Sequence, residues 1–339
     1  MKIRKTFILI ILLTLLVFLS SFLINICIYE NSKNPFPSFN GQLHVKGSKI
    51  YNQYNKIFQL QGLSSHGLQW YSNIINYDNL KYLRDNWGIN VFRLALYTEE
   101  NGYISNPSLK DKLLELSNII IDLDMYVIID WHILSDGDPM THIDKAKDFF
   151  NEISSKYSDC PNIIYEICNE PNNVTWENSI KPYANEIIPI IRKNSPNSLI
   201  IVGTPNWSTD IDKIIDSPLD YENILYAFHF YAGTHKTAAR NKLQDALDAN
   251  LPVIVSEWGT TNLTGDNEVS LDSSTEWLNF LNQNDISWIN WSFSNKDEDS
   301  AILNPVDIKS PSEIDSNLTA SGKFVKEHIS LKAKYKKTK

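Results

Sequence analysis

Two glutamates of this chain are placed to do paired carboxyl chemistry. Glu170 follows Asn169 at the end of the apolar run Ile163–Asn169, and Glu257 closes the run Pro252–Glu257. Two carboxyl groups facing each other across a cleft are what cleavage of a glycosidic bond requires. One must be protonated to release the leaving oxygen; the other must be ionised to attack or stabilise the anomeric carbon. A spacing of about 5–5.5 Å allows direct attack and retention, whereas about 9 Å leaves room for water and inversion. Environment decides which group is which. Arg93, if it reaches Glu257, holds it as carboxylate, and Tyr231 can donate a hydrogen bond to the same oxygen. The charge on Glu257 then raises the pKa of Glu170.

Other polar and aromatic residues stand at equivalent places: Tyr97, Asp130 with Trp131 and His132, His229 with Tyr231, and Trp291. One strand-end glutamate alone is an ordinary rim ion pair. Their accumulation at matching ends is what carries the argument. His132 and His229 have no third ligand at metal spacing, and no Asp/Asn ladder marks a calcium loop, so neither metal nor cofactor is expected.

The elements that must position these residues recur with a rhythm. Short β-rich runs occupy Ile57–Gly62, Asn90–Leu96, Tyr126–Trp131, Ile163–Asn169, Leu199–Gly203, Ile224–Phe230, Pro252–Glu257 and Ser287–Trp291. Helical stretches such as Pro107–Leu123, Ile143–Tyr157, Trp176–Asn194 and Thr237–Ala249 lie between them. Strands alternating with helices over roughly 250 residues predict an α/β fold, a (β/α)8 barrel forming a single catalytic domain, with its site at the carboxyl ends of the strands. The unbroken apolar stretches Val127–Ile129 and Val253–Val255 fit strands covered on both faces. A doubly wound open sheet gives a similar pattern, but no G-x-G-x-x-G follows the first strand, which weakens the dinucleotide version.

Composition sets outer limits. With 42% hydrophobic and 21% charged residues, the 339-residue chain is neither disordered nor a polytopic membrane protein. A net charge of −9 argues against a nucleic-acid partner. The 3 cysteines, Cys27, Cys160 and Cys168, form no disulfide framework. Lys2, Arg4 and Lys5 precede the apolar segment 6–28, so 1–28 is expected to be a signal peptide or a membrane anchor. Either places the rest of the chain outside the cytoplasm, secreted or membrane-anchored. The polar stretch 29–40 is expected to be a tether, 41–331 the barrel, and 332–339 a basic tail.

The run Gly62-Leu63-Ser64-Ser65-His66-Gly67-Leu68-Gln69-Trp70 is followed in order by five more motifs. These are Phe92-Arg93-Leu94-Ala95-Leu96-Tyr97, Ile129-Asp130-Trp131-His132, Ile164-Tyr165-Glu166-Ile167-Cys168-Asn169-Glu170-Pro171, Phe228-His229-Phe230-Tyr231 and Val255-Ser256-Glu257-Trp258-Gly259-Thr260. Asn290-Trp291-Ser292 closes the series. With these motifs the sequence from about Gly41 to about Glu327 resembles glycoside hydrolase family 5, most closely its bacterial endo-β-1,4-glucanase branch, subfamily 2. The resemblance implies a monomeric retaining enzyme on β-1,4-glucan, with Glu170 as acid/base and Glu257 as nucleophile. It implies that Asn169 holds the 2-hydroxyl at the cleaved bond and that Arg93 and Tyr231 orient the nucleophile. His229 would tune Glu170, and His132 and Trp291 would contact the sugar nearest the cleavage point. His66, Trp70, Tyr71 and Tyr97 would wall the more distant non-reducing-side subsites, with Lys296 and Glu298 as a polar pair on the same sugars. Trp207, then Trp176 and Trp258, are candidate platforms on the leaving-group side; each of these aromatics could equally be core. No carbohydrate-binding module is evident after the barrel, so soluble or amorphous glucan is the expected substrate. A mannanase or other β-glycanase on the same frame, a non-catalytic glycan-binding barrel and an oxidoreductase on a barrel remain as rivals.

Overall fold

The structure is a computed structural model that describes residues 34–266 and 269–332. The apolar segment 6–28 with Cys27, the start of the expected tether and residues 333–339 of the tail lie outside the described residues. Among the described residues, no helix is long and apolar enough to cross a membrane.

Two short antiparallel strands come first, β1 (His44–Lys46) and β2 (Lys49–Tyr51). Eight parallel strands follow: β3 (Gln61–Ser65), β4 (Val91–Tyr97), β5 (Tyr126–His132), β6 (Ile163–Glu166), β7 (Ile200–Val202), β8 (Ile224–Tyr231), β9 (Val253–Gly259) and β10 (Trp288–Phe293). They close in the order β10-β3-β4-β5-β6-β7-β8-β9, so the barrel has no free edge. Helices such as Leu109–Asp122, Ile143–Lys156 and Lys181–Asn194 return the chain over the outside. The expected (β/α)8 barrel is the fold.

Strand periodicity divides each strand between two environments. On β4, Phe92, Leu94 and Leu96 face the outer helical layer, while Val91 joins the interior floor. On β5, Val127, Ile129 and Trp131 face outward, while Tyr126 and Ile128 reach the same floor. The alternate positions nearer the carboxyl ends are polar: Arg93 on β4, Asp130 and His132 on β5, His229 and Tyr231 on β8. The barrel interior is therefore apolar at one end and polar at the other. That polarity follows from which residue types fall on the inward positions.

Several bounds differ from the sequence expectation, each for a local reason. The first barrel strand begins at Gln61 rather than Ile57, because Ile57 and Phe58 bond back to the β1–β2 hairpin. That hairpin was not foreseen. It plugs the floor, where Leu43 and Ile50 pack with Phe58, Leu60, Val91 and Ile289. β6 stops at Glu166 rather than Asn169, since the chain turns there to swing Asn169 and Glu170 over the bowl. The helix expected over 176–194 opens with a wider turn at Trp176–Ile180 and continues as Lys181–Asn194. Residues 34–40, within the expected tether, dock on the floor. Ser38 donates to Asp124 at 2.6 Å, and the Arg84 guanidinium lies 3.9 Å from the Phe36 ring centroid.

Gly62 on β3 shows how tightly the barrel closes. A Cβ there would stand 1.9 Å from the Val91 carbonyl oxygen of the neighbouring strand. Gly62→Ala must push two hydrogen-bonded strands apart, an overpacking cost of about 1–3 kcal/mol or more. Thermal unfolding should show a drop of several degrees; an unchanged midpoint would contradict this packing.

Candidate active site

Arg93 is the centre of the polar half. Its guanidinium is fully buried, and Nε donates to Glu166 at 2.6 Å. Nη1 donates to Glu257 at 3.2 Å and to Ser64 at 3.3 Å, while Nη2 donates to Asn169 Oδ1 at 2.6 Å and meets Asp130 Oδ2 at 3.0 Å. Burial alone would lower its pKa; Asp130, Glu166 and Glu257 outweigh burial and hold it above the ordinary arginine value.

Glu257, near the end of β9, takes Arg93 on Oε2 and the Tyr231 hydroxyl on Oε1 at 2.9 Å. Both partners only donate to it, so both favour the carboxylate. Burial and the neighbouring Glu170 charge push its pKa up, against Arg93, His229 and His132. Glu170 has no cation in contact, and its pKa is pushed up to about 8, chiefly by burial. The charges that add to this are those of Asp130 and Glu166. The repulsion between Glu170 and Glu257 belongs to the pair and disfavours ionising both at once. One carboxyl oxygen of Glu170, one of Glu257 and a ring nitrogen of His229 all lie within 4.8 Å of one another.

A chain of hydrogen bonds ties Glu170 back to Arg93. Glu166, bonded to Arg93, accepts from the Ser256 hydroxyl at 2.6 Å. Ser256 Oγ meets His229 Nε2 at 2.9 Å, and His229 Nδ1 meets Glu170 at 2.8 Å. The Ser256 proton is committed to Glu166, so its oxygen accepts from His229 Nε2–H. Burial holds His229 neutral, pushed down to about 4. Nδ1 is then an acceptor, and the partner it requires is a protonated Glu170. Local geometry and burial therefore agree on which carboxyl keeps its proton.

The bowl wall is aromatic. His66 lies between Trp291 (4.9 Å), Tyr71 (5.1 Å), Trp70 (5.7 Å) and Tyr97 (6.2 Å). His132 packs on Tyr97 at 4.1 Å and stacks on Trp291 at 5.3 Å. These rings form one continuous surface reaching the reacting carboxyls, with Trp70 the outermost at 44% exposed. Lys296 and Glu298 pair with each other beside it, and the Lys296 charge, after burial, helps hold His66 neutral.

On the other side of Glu170 lies a cavity of about 430 Å³, lined by Trp207, Leu134, Leu263, His235, Tyr231 and His229 among others. Trp207 is 44% exposed there. Asn206, Trp207 and Ser208 all adopt left-handed backbone (φ 57°, 56° and 57°), a strained conformation for an indole. Trp207 N–H donates to the Pro171 carbonyl and Ser208 Oγ to the Asn169 carbonyl, so this turn is clamped onto the segment carrying Glu170. Trp176 and Trp258 are not platforms. Trp258 is fully buried against Phe230 and Trp288, and Trp176 is buried with its N–H on the Ser217 carbonyl.

Sequence reasoning overlooked Glu166, Ser256 and Ser64. Their signal was a polar residue on an inward position of a strand covered on both faces, where nothing polar is tolerated unless bonded. Leu134 and Leu263 carried no signal, being apolar residues in loops.

The raised Glu170 pKa has a stability consequence. Between the ordinary glutamate value and about 8 the folded state keeps a proton that the unfolded state releases. Stability from this group is present below the ordinary value and is lost as pH rises toward 8. Glu170→Gln removes that loss, so the variant's melting temperature should fall less than the parent's between pH 5 and 8. Parallel curves would contradict the shift.

The cellulase family model, glycosyl hydrolase family 5, matches residues 51–297. An endoglucanase of Clostridium saccharobutylicum is 52% identical over 294 residues, covering 86% of this chain and 66% of that protein. Endoglucanase A of Evansella cellulosilytica is 52% identical over 273 residues, covering 80% of this chain and 56% of that protein. The chain thus spans just under two thirds of the first relative's length and little more than half of the second's. A Glu-to-Gln variant of the Thermobifida fusca endoglucanase catalytic domain, solved with cellotetraose, superposes with a TM-score of 0.81 at 34% identity, covering 86% of this chain and 98% of that one. With its closed barrel and these matches across most of its length, the chain belongs to glycosyl hydrolase family 5.

Proposed function

We propose that the protein is an endo-β-1,4-glucanase that hydrolyses internal bonds of cellulose-type β-glucan with retention of configuration. The observation that carries this reading is the Glu170–Glu257 pair. Its carboxyl oxygens approach within 4.8 Å, and its two environments are opposed. That gap is too short for the attacking water of an inverting enzyme and suits direct attack by a carboxylate.

In the first step Glu257 Oε attacks the anomeric carbon, the bond to the leaving sugar breaks, and the Glu170 proton passes to the departing oxygen. In the second, Glu170 as carboxylate takes a proton from water, whose oxygen displaces Glu257 from the same carbon. Arg93 and Tyr231 hold Glu257 in line, and Asn169 and His132 border the 2-hydroxyl of the reacting sugar. Trp291, His66, Tyr71, Tyr97 and Trp70, with Lys296 and Glu298, line the glycone side; Trp207 faces the leaving sugar. Endoglucanase names among the relatives, and cellotetraose in the Thermobifida structure, support β-glucan as the substrate class. The basic and apolar segment 1–28 supports a site of action outside the cytoplasm, by release or by anchoring. The remaining organisation is 29–40 as lead-in, 41–331 as catalytic barrel and 332–339 as basic tail.

Reducing-sugar release on carboxymethyl-cellulose, mixed-linkage glucan, glucomannan and xylan tests the assignment. Fast glucan hydrolysis is expected, falling about 10³-fold or more in Glu257→Gln, the scale of losing a nucleophile. Preference for mannan would keep the mechanism and overturn the substrate. A folded protein inactive on all four would leave a glycan-binding barrel.

A further inference from the structure

Asp130 has no role in the scheme above, yet it lies fully buried, joined to Glu257 through Arg93. Both of its contacts fall on one oxygen. Oδ2 meets Arg93 Nη2 at 3.0 Å and His132 Nδ1 at 2.6 Å, while Oδ1 has no partner. Beyond His132, Nε2 meets Asn169 Nδ2 at 3.3 Å, and Asn169 Oδ1 returns to Arg93 Nη2 at 2.6 Å. Arg93, Asp130, His132 and Asn169 thus close a four-membered ring of hydrogen bonds.

The direction of every bond in the ring is determined. Arginine only donates, so the Asn169 oxygen is the atom facing Arg93, and its amide nitrogen must face His132. That nitrogen also only donates, so His132 Nε2 accepts. Burial keeps His132 neutral, so its single proton is on Nδ1 and goes to Asp130. The ring has one consistent arrangement: Arg93 and the Ile133 carbonyl, which accepts from Asn169 Nδ2 at 3.2 Å, fix the amide, and the acceptor at Asp130 fixes the imidazole beside it. Without that acceptor, Nδ1–H is stranded in a dry interior, and the ring gains by moving the proton to Nε2. There it would oppose the Asn169 N–H and push on an amide that Arg93 and the Ile133 carbonyl otherwise hold in place.

We propose that Asp130 is a positioning residue that locks His132 with its proton on Nδ1 and thereby aims the Asn169 amide at the 2-hydroxyl of the sugar under attack. This rests on the glycosidase reading above. Asn169 is next to Glu170 in the chain and shares Arg93 with Glu257, so its amide borders the carbon adjacent to the anomeric centre. Contacts to that hydroxyl count most where they tighten toward the transition state. Toward His132 Asp130 acts as an acceptor in either protonation state: burial pushes its pKa up to about 7, and Oδ2 can accept whether or not Oδ1 holds a proton.

The test compares an aryl β-cellobioside with its analogue lacking the 2-hydroxyl on the reacting sugar. Asp130→Leu, which removes the acceptor at similar size, should lower kcat/KM on the hydroxylated substrate about 10–100-fold, the usual cost of losing a supporting partner. It should change the deoxy substrate by less than about threefold. Asp130→Asn keeps an acceptor oxygen facing both partners and should restore most of the lost rate. Nitrogen-15 NMR of the unaltered protein should show His132 Nε2 unprotonated. Equal losses on both substrates would place the effect on Arg93 and Glu257 and overturn the proposal. So would failure of Asp130→Asn to rescue, or a proton found on Nε2. If Asp130→Leu does not fold, the asparagine variant and the NMR measurement still decide. An unaltered protein inactive on both cellobiosides would count against the glycosidase reading, while the nitrogen spectrum would still judge the ring.

Discussion

A single buried guanidinium carries the site. Arg93 reaches Glu257, Glu166, Asp130, Asn169 and Ser64 from one inward position of β4. Each carboxylate taken out of water alone would be costly, and so would the arginine. Together they form a layer in which every guanidinium nitrogen has an acceptor. Removing Arg93 would leave several buried acids facing one another with no cation among them. The two branches that leave it do different work. One runs through Glu166, Ser256 and His229 to Glu170; the other runs through Asn169, His132 and Asp130 and closes on Arg93 again.

The same layer separates two otherwise similar glutamates. Both are buried, and burial raises both. Glu257 has the arginine and a tyrosine hydroxyl; Glu170 has the acceptor nitrogen of a neutral histidine. The difference lies in hydrogen-bond direction as much as in charge. The barrel supplies the rigidity this needs. An apolar floor closed by the β1–β2 hairpin fixes the lower half of each strand, and the turn at Trp207–Ser208 clamps the segment that carries Asn169 and Glu170.

Much of this was legible in the sequence, because strand periodicity puts chemistry-bearing residues at fixed places. The barrel, the ends of its strands, and the convergence of Glu170, Glu257, Arg93, Tyr231 and His229 all followed from runs and their final residues. The family resemblance set His132 and Trp291 apart from His66 and Tyr97 as nearer the cleavage point; their rings form one continuous surface. Glu166 and Ser256 were not read, since they sit one strand step below the visible ends and act only through partners distant in sequence. Trp258 follows Glu257 directly, yet alternation turns it to the outer layer; adjacency in sequence was the wrong guide there. The β1–β2 hairpin escaped because its strands are 3 residues each, too short for periodicity to register.

The central claim is that this layer makes Glu257 the nucleophile and Glu170 the proton donor. A 2-deoxy-2-fluoro-cellobioside with a good leaving group slows breakdown of a covalent glycosyl-enzyme more than it slows formation. Intact-protein mass followed by peptide mapping then identifies the attacking residue. One adduct on the peptide containing Glu257 is the predicted result. An adduct on the Glu170 peptide, or no adduct while the substrate is turned over with inverted configuration, would contradict the account.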